Sequence, residues 1–173
     1  MDNSPTILAI SGSVRQGSTN ARILQYLKGN LDSRCEYILY DGLSRLPHFN
    51  QDLDRDPLPD EVASLRRLFD RSSAVIFCSP EYVFSLPGSF KNLLDWQVST
   101  TNMLNKPVAM IVAAADGSRA FQSLETILST LGATINEKCK LLIGGARGKI
   151  TSEISPDVRA SLDELGNALL ESI

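Results

Sequence analysis

Residues able to bind an anion are concentrated in the stretch Ile7–Asn20, ILAISGSVRQGSTN. After four apolar residues the stretch becomes small and rich in hydroxyls, and it contains one guanidinium, that of Arg15. Hydroxyls and backbone N–H groups donate hydrogen bonds, and an arginine adds a two-pronged, charge-assisted contact. These residue types point to binding of a phosphate monoester. The alternative is that Ser18 or Thr19 only caps the helix that follows.

The elements around this loop suit an anion site. The uninterrupted apolar run Ile7–Ile10 predicts a buried strand, and apolar residues at helical spacing predict a helix over about 19–31. A helix start offers unpaired N–H groups and about half a positive charge. The loop has neither the G-x-G-x-x-G of dinucleotide folds nor the GK[ST] of P-loops, so by itself it leaves phosphate binding and simple capping both open.

The rest of the chain alternates between strand and helix patterns. Strands are predicted at 35–40, 74–79, 107–114 and within 134–143, and helices from about 59–61, from Gly88, over about 121–131 and from about 156. Such alternation predicts a single doubly wound α/β domain over residues 1–173, with a parallel sheet. The loops at 11–20, 80–88 and 115–120 should then converge at the carboxyl edge of the sheet. The long connection 41–60 fits either a functional segment or a surface crossover.

Composition narrows the class of protein. The chain has 173 residues, 43% of them hydrophobic, and a net charge of −3, which gives no reason to expect nucleic acid or an anionic membrane as partner. The apolar runs are shorter than a membrane span, and MDNSPT is unlike a signal peptide. One histidine and three scattered cysteines argue against a zinc site or a histidine-based triad, and favour buried free thiols in the cytoplasm.

The stretch 79–96, SPEYVFSLPGSFKNLLDW, forms the second predicted wall of the site. Pro80 and Pro87 favour an extended, projecting loop between them. Tyr82 and Phe84 supply flat apolar surface that suits stacking on a planar ring. The same aromatic side chains also suit the core or a subunit contact.

Two motifs resemble those of the NADPH-dependent FMN reductase family, which includes quinone, chromate and azo-dye reductases. The first loop, GSVRQGSTN, is similar to G-S-x-R-x-x-S-x-N, and PEYVFSLPGSFKNLLDW is similar to P-E-Y-N-x-S-x-P-G-x-L-K-N-x-x-D-W. The resemblance runs over about residues 6–170. It implies a flavodoxin-like, five-stranded parallel sheet of order 2-1-3-4-5 with helices on both faces.

The resemblance also implies a cofactor site. The FMN phosphate would be held by Ser11, Ser13, Arg15, Ser18, Thr19 and Asn20. The isoalloxazine ring would be bordered by Pro80, Glu81, Tyr82 and Val83, with Ser85 nearby. Lys91, Asn92 and Asp95 match the motif but are interpreted as structural or interface residues. Family members are usually dimers or tetramers, and we expect Leu93, Leu94 and Trp96 to provide part of such a contact.

Two departures from the family pattern stand out. Val83 replaces the motif's Asn, which removes an amide able to hydrogen-bond and predicts weaker FMN binding. The third loop, AAADGSRAFQ, keeps one of the paired glycines usual in the family, Gly117, which the resemblance adds to the cofactor-binding residues, but it brings Asp116 and Arg119.

The function implied is an NAD(P)H-dependent oxidoreductase. Hydride would pass from NADPH to FMN and on to a small electron acceptor, namely a quinone, free flavin, azo compound or metal oxyanion. Because the cofactor carries the electronic chemistry, no side chain is assigned as a catalytic acid or base. The alternatives are a flavodoxin-type electron carrier and a flavodoxin-like module that has lost its flavin.

Overall fold

Five parallel strands form one sheet in a computed structural model that describes residues 4–173, so the first three residues of MDNSPT lie outside the described part. The strands are β1 (Thr6–Ser11), β2 (Glu36–Tyr40), β3 (Ala74–Ser79), β4 (Val108–Ala113) and β5 (Lys140–Ile143). Their order is β2-β1-β3-β4-β5. This confirms the sheet order and the parallel α/β class expected from the sequence.

Six helices connect and flank these strands in the described residues. They are α1 (Thr19–Leu31), α2 (Asp60–Arg71), α3 (Gly88–Asp95), α4 (Ser118–Thr130), α5 (Ala146–Lys149) and α6 (Pro156–Glu171). Successive residues of a strand point to opposite faces, so Ile7 packs in the core under α1 and α6 while Leu8 packs under α2, α3 and α4. The sheet is therefore covered by helices on both faces.

The strand register brings the loops that follow the strands to one edge. Ile10 at the end of β1 pairs with Phe77 of β3, and Phe77 pairs with Met110 of β4. Met110 in turn pairs with Lys140 of β5. Since all strands are parallel, the segments after β1, β3, β4 and β5 leave the sheet side by side at its carboxyl edge.

The connection 41–60 is fixed to the helices beside it. Asn92 accepts a hydrogen bond from the Phe49 N–H at 2.7 Å and donates to the Pro47 carbonyl at 2.9 Å. Trp96 donates its indole N–H to the same carbonyl at 2.8 Å. Asn92 therefore has a structural role, as expected from the sequence.

The expectation that the end of α3 forms a subunit contact is wrong for the residues named. Leu93, Leu94 and Trp96 are 0%, 2% and 0% exposed, because α3 turns these side chains into its own subunit's core. The helical spacing indicated burial correctly, but it could not tell an internal core from a contact between chains.

The region before β5 differs in detail from the prediction. The polar residues at 136–140 include a 3-10 turn, Glu137–Cys139, so β5 itself is only four residues long. The short helix α5 has no counterpart in the sequence prediction, because four residues are too few to show helical periodicity. Cys35, Cys78 and Cys139 are buried free thiols, as predicted. Over residues 4–173 no helix is long and apolar enough to cross a bilayer.

Buried thiols and phenols make the free energy of unfolding depend on pH in the alkaline range. Burial raises the pKa of all three cysteines and, as the largest cause, of Tyr37 and Tyr40, above ordinary values of 9.0 and 10.0. A raised folded-state pKa gives stability that is present below the unfolded pKa and is lost as the pH rises. Burial lowers the pKa of Lys106, which acts in the opposite direction but is a single group.

We therefore expect the free energy of unfolding, measured with urea, to fall as the pH rises above 9.0, the ordinary thiol pKa. Cys78→Ala should reduce the fall between about pH 8 and about pH 10 by about 1.4 kcal/mol, the full effect of one thiol that ionises only when unfolded. An identical fall in both proteins would show that Cys78 ionises equally in the folded state.

Candidate functional site

A cleft of about 460 Å³ lies at the carboxyl edge of the sheet. Its lining comes from the segments after β1, β3, β4 and β5, and comprises Ser13, Arg15, Ser18, Thr19, Asn20, Pro80, Glu81, Tyr82, Ala113, Ala114, Ala115, Ala146 and Arg147. A larger groove of about 690 Å³ runs beside the start of α1, but Gly17 is its only contribution from the loop after β1. The cleft is the place where the predicted loops meet.

The loop after β1 is held in shape by its own hydroxyls. Ser11 Oγ accepts the Ser13 N–H at 3.2 Å, and Ser13 Oγ accepts the Arg15 N–H at 3.3 Å. Ser18 Oγ accepts the Ala21 N–H at 3.1 Å, so this residue is an N-cap of α1. The capping interpretation is therefore correct for the Ser18 hydroxyl, although the residue also lines the cleft.

A glycine lets this loop lie close to the second wall. A Cβ at Gly12 would lie 2.8 Å from Ser79 Oγ and 3.1 Å from the Phe90 ring. Ser79 and Phe90 are both fully buried, so neither can move aside easily. The Gly12 N–H donates to the Cys78 carbonyl at 2.8 Å, which ties the first loop to the end of β3.

The side-chain amide of Asn20 is oriented by a hydrogen bond from the Cys78 thiol. Asn20 is 2% exposed, and its Oδ1 accepts a hydrogen bond from Cys78 Sγ at 3.3 Å. Burial raises the pKa of the Cys78 thiol, so the thiol stays protonated and able to donate. With Oδ1 occupied in this way, the Asn20 Nδ2 group is the part left to donate into the cleft, as an anion requires.

Glu81 joins the second and third walls. Its Oε2 accepts the Gly117 N–H at 3.0 Å and its Oε1 accepts the Ala120 N–H at 3.1 Å. These N–H groups belong to the start of α4, where Gly117 has a φ of 91°. The carboxylate therefore caps a helix, and Gly117 contributes its N–H to Glu81 instead of to the cleft.

A tight turn projects from the second wall. Tyr82 and Ser85 exchange two backbone hydrogen bonds, of 2.9 and 3.0 Å, and the residues between them, Val83 and Phe84, have φ of 52° and 54°. Positive φ at both central residues is the geometry of a type I′ turn, which ordinarily carries Asn, Asp or Gly. Because Val83 is β-branched, a positive φ strains its backbone. Its side chain is 96% exposed and points to solvent.

The structure brings together eight of the twelve predicted cofactor-binding residues. They line the cleft and are Ser13, Arg15, Ser18, Thr19, Asn20, Pro80, Glu81 and Tyr82. The other four are near the cleft in sequence but outside its lining, namely Ser11, Val83, Ser85 and Gly117. The prediction does not include the other five lining residues. It passes over Ala113–Ala115 at the end of β4, and it misses Ala146 and Arg147 because it considers only the loops after β1, β3 and β4. The glycine pair before Ala146 was the available signal for a turn at the end of β5.

The residues of the cleft fit an FMN molecule. The first loop offers hydroxyls, an amide and a guanidinium, which are the donors that a phosphate requires. Pro80, Tyr82 and the run Ala113–Ala115 offer small or flat surfaces suited to a planar ring. Among residues 4–173 no cluster of His, Cys, Asp and Glu could hold a metal ion.

The strain at Val83 is testable by substitution. Asn adopts the left-handed region more readily than a β-branched residue, so Val83→Asn should raise the free energy of unfolding by about 1 kcal/mol in urea titrations. Val98→Asn is the matched control. Val98 is also exposed, at 64%, but its φ is not positive. Equal effects of the two substitutions would contradict the assignment of strain. The expectation that Asn at position 83 also tightens FMN binding stays a prediction, which titration of the same variant tests.

Comparisons with known proteins place this geometry in a family. A family model described as NADPH-dependent FMN reductase matches residues 5–148. The NADH:(hydroxy)cinnamate reductase subunit of Vibrio ruber is 30% identical over 167 residues, covering 91% of this chain and 82% of that protein. The quinone reductase of Escherichia coli K12 is 24% identical over 170 residues, covering 94% and 90%.

Solved structures agree with this placement. The flavoenzyme NAD(P)H:(acceptor) oxidoreductase of Paracoccus denitrificans has a TM-score of 0.83 and 26% sequence identity, and the match covers 96% of each chain. Flavodoxin 1 of Bacillus cereus has a TM-score of 0.68 at 13% identity, covering 98% of this chain and 99% of that one, which supports the flavodoxin-like fold. The matched span, the two motifs and the sheet order all lead to the same result, and the chain belongs to the NADPH-dependent FMN reductase family.

Proposed function

We propose that the carboxyl-edge cleft binds FMN and that the chain passes hydride from NADPH or NADH through this flavin to a small acceptor. As a member of the NADPH-dependent FMN reductase family, the chain is a flavin-dependent oxidoreductase that uses FMN and NAD(P)H. The observation that carries the proposal is the meeting of Arg15 and the other donors of the first loop with the Pro80–Tyr82 wall in one cleft. The acceptor class is a quinone, free flavin, azo compound or metal oxyanion.

Different residues of the cleft would bind the phosphate and the ring of the cofactor. The first loop and Arg15 would bind the phosphate, and the Asn20 Nδ2 group would donate a further hydrogen bond to it. Tyr82, which is 52% exposed, would offer its ring to the isoalloxazine. FMN, when bound, supplies the hydride-accepting and hydride-donating chemistry.

Glu81 is not assigned as a proton donor. Both of its carboxylate oxygens already accept backbone N–H groups at the start of α4. Its role is to fix the third loop beside the second, and thereby the shape of the cleft. No catalytic acid or base is assigned, and the protein's contribution is position and polarity.

Cellular setting and domain organisation are further parts of the proposal. Three buried free thiols suit a reducing compartment, and we place the chain in the cytoplasm on that ground. Residues 1–173 are proposed to act as one flavin-binding domain, because the helices of both layers pack on a single sheet.

Transient kinetics test the function directly. Protein loaded with FMN is mixed anaerobically with NADPH in a stopped-flow instrument, and the flavin absorbance at about 450 nm is followed. We expect bleaching far faster than that of free FMN at the same concentration. Bound flavin that is not bleached would instead identify an electron carrier, and failure to bind FMN at all would refute the proposal.

We also propose that the chain forms a homodimer or homotetramer, and the exposed apolar turn supports this. Phe84 is 73% exposed and stands beside Val83 on a projecting loop next to the cleft. Light scattering should give a mass of at least twice 18.9 kDa. Phe84→Asp should lower that mass.

The matched control for this test is Leu104→Asp. Leu104 is 58% exposed but lies before β4, at the opposite edge of the sheet. Its substitution should leave the mass unchanged. A wild-type monomer across the micromolar range would refute the assembly.

A further inference from the structure

Arg147 is a second guanidinium in the cleft and lies outside both motifs. It follows β5 on the short helix α5, and it lines the same cleft as Arg15, Ser18 and Asn20. Its side chain is exposed. Within residues 4–173 no carboxylate lies within ion-pair distance of it.

Arg147 is one of the eleven lysines and arginines, out of 17, that form no ion pair among residues 4–173. Ion pairs occupy Arg45, Arg66, Arg71, Lys91, Lys138 and Lys140. Of the residues described as lining the cleft, Glu81 alone is acidic, and its oxygens are taken by the start of α4. The lining therefore carries two guanidinium groups against one carboxylate and is positive on balance, although the whole chain has a net charge of −3.

The backbone fixes Arg147 in this position. Gly145 donates its N–H to the Ala115 carbonyl at 2.9 Å, and Ala146 donates to the Ala114 carbonyl at 3.0 Å. Ala146 and Ile150, on either side of Arg147, pack in the core on the same face as α1. The start of α5 is thus tied to the segment after β4, and its arginine lines the same cleft as the first loop.

We propose that Arg147 binds the phosphate of FMN together with Arg15, so that two walls of the cleft hold the phosphate between them. The inference rests on the proposed function. A phosphate monoester carries about −1.5 to −2 charges at pH 7, which one guanidinium leaves only partly compensated. Two guanidinium groups from the segments after β1 and β5 match that charge, and they make the phosphate the main basis for choosing FMN over riboflavin.

Calorimetric titration of Arg147→Ala with FMN and with riboflavin tests this assignment. Loss of a charge-assisted hydrogen bond should weaken FMN binding by about tenfold or more, while riboflavin binding should not change. Arg147→Lys keeps the charge but not the two-pronged geometry, and should lie between wild type and Arg147→Ala. Arg15→Ala should show the same selective loss for FMN.

Lys149→Ala is the matched control. Lys149 is also an exposed cation on α5, but it lines a separate small cavity with Val158 and Asp157. Removing its charge should leave both affinities within about twofold of wild type. A loss of FMN affinity equal to that of Arg147→Ala would show a general effect of charge, and would overturn the assignment.

Other results separate failure of this inference from failure of the proposed function. If Arg15→Ala weakens FMN selectively but Arg147→Ala does not, the inference fails and the proposed function stands. The same holds if Arg147→Ala leaves FMN affinity unchanged and raises the KM for NADPH. A wild-type protein with no preference for FMN over riboflavin would refute the phosphate site itself. Circular dichroism of each variant checks that it is folded.

Discussion

The pairing of Glu81 with the start of α4 is the interaction on which the cleft depends. A carboxylate at a helix N-terminus is stabilised both by hydrogen bonds to unpaired N–H groups and by the helix dipole, by about 0.3 to 2 kcal/mol. In this chain the two N–H donors belong to Gly117 and Ala120, so the interaction joins the loop after β3 to the loop after β4. It also engages both oxygens of the acidic side chain in the cleft lining. One pair of hydrogen bonds thus fixes the shape of the site.

Much of the fold could be predicted from the sequence because its signals are long and periodic. Helix α1 spans Thr19–Leu31 and strand β3 spans Ala74–Ser79, both as predicted. Continuous apolar strands and amphipathic helices report burial directly, and their alternation leaves few topologies to consider. Ligands of parallel α/β sheets bind at the carboxyl ends of the strands, and this rule predicts the position of the cleft from the order of the elements alone.

The parts that could not be predicted depend on what a residue touches. The motif identified Glu81, but its two N–H partners lie 36 and 39 residues further along the chain. Arg147 has no motif of its own, and its importance follows only from sharing a cleft with Arg15. The sequence pattern predicts a contact between chains for Trp96, since an apolar helix face does not specify its partner. Its indole instead donates to Pro47 within the same chain.

Val83 shows how a structure changes the meaning of a departure from a motif. From the sequence alone, Val83 in place of the motif's Asn predicts the loss of a hydrogen bond to the flavin. In the structure, position 83 has a φ of 52° in a type I′ turn, a conformation in which Asn is favoured for backbone reasons alone. The side chain is 96% exposed and lies outside the lining of the cleft. The turn is by itself a sufficient reason for Asn at this position of the motif.

Local charge, and not net charge, governs what this cleft can bind. A net charge of −3 would by itself disfavour an anion, yet fields in a cleft are set by the groups that line it. The lining of this cleft holds two guanidinium groups, those of Arg15 and Arg147, against the one carboxylate of Glu81, so it is positive on balance. Neither arginine forms an ion pair among residues 4–173. Since a planar ring can be held by many apolar surfaces, the proposed binding of FMN here makes the phosphate end of the cleft the part that discriminates between flavins.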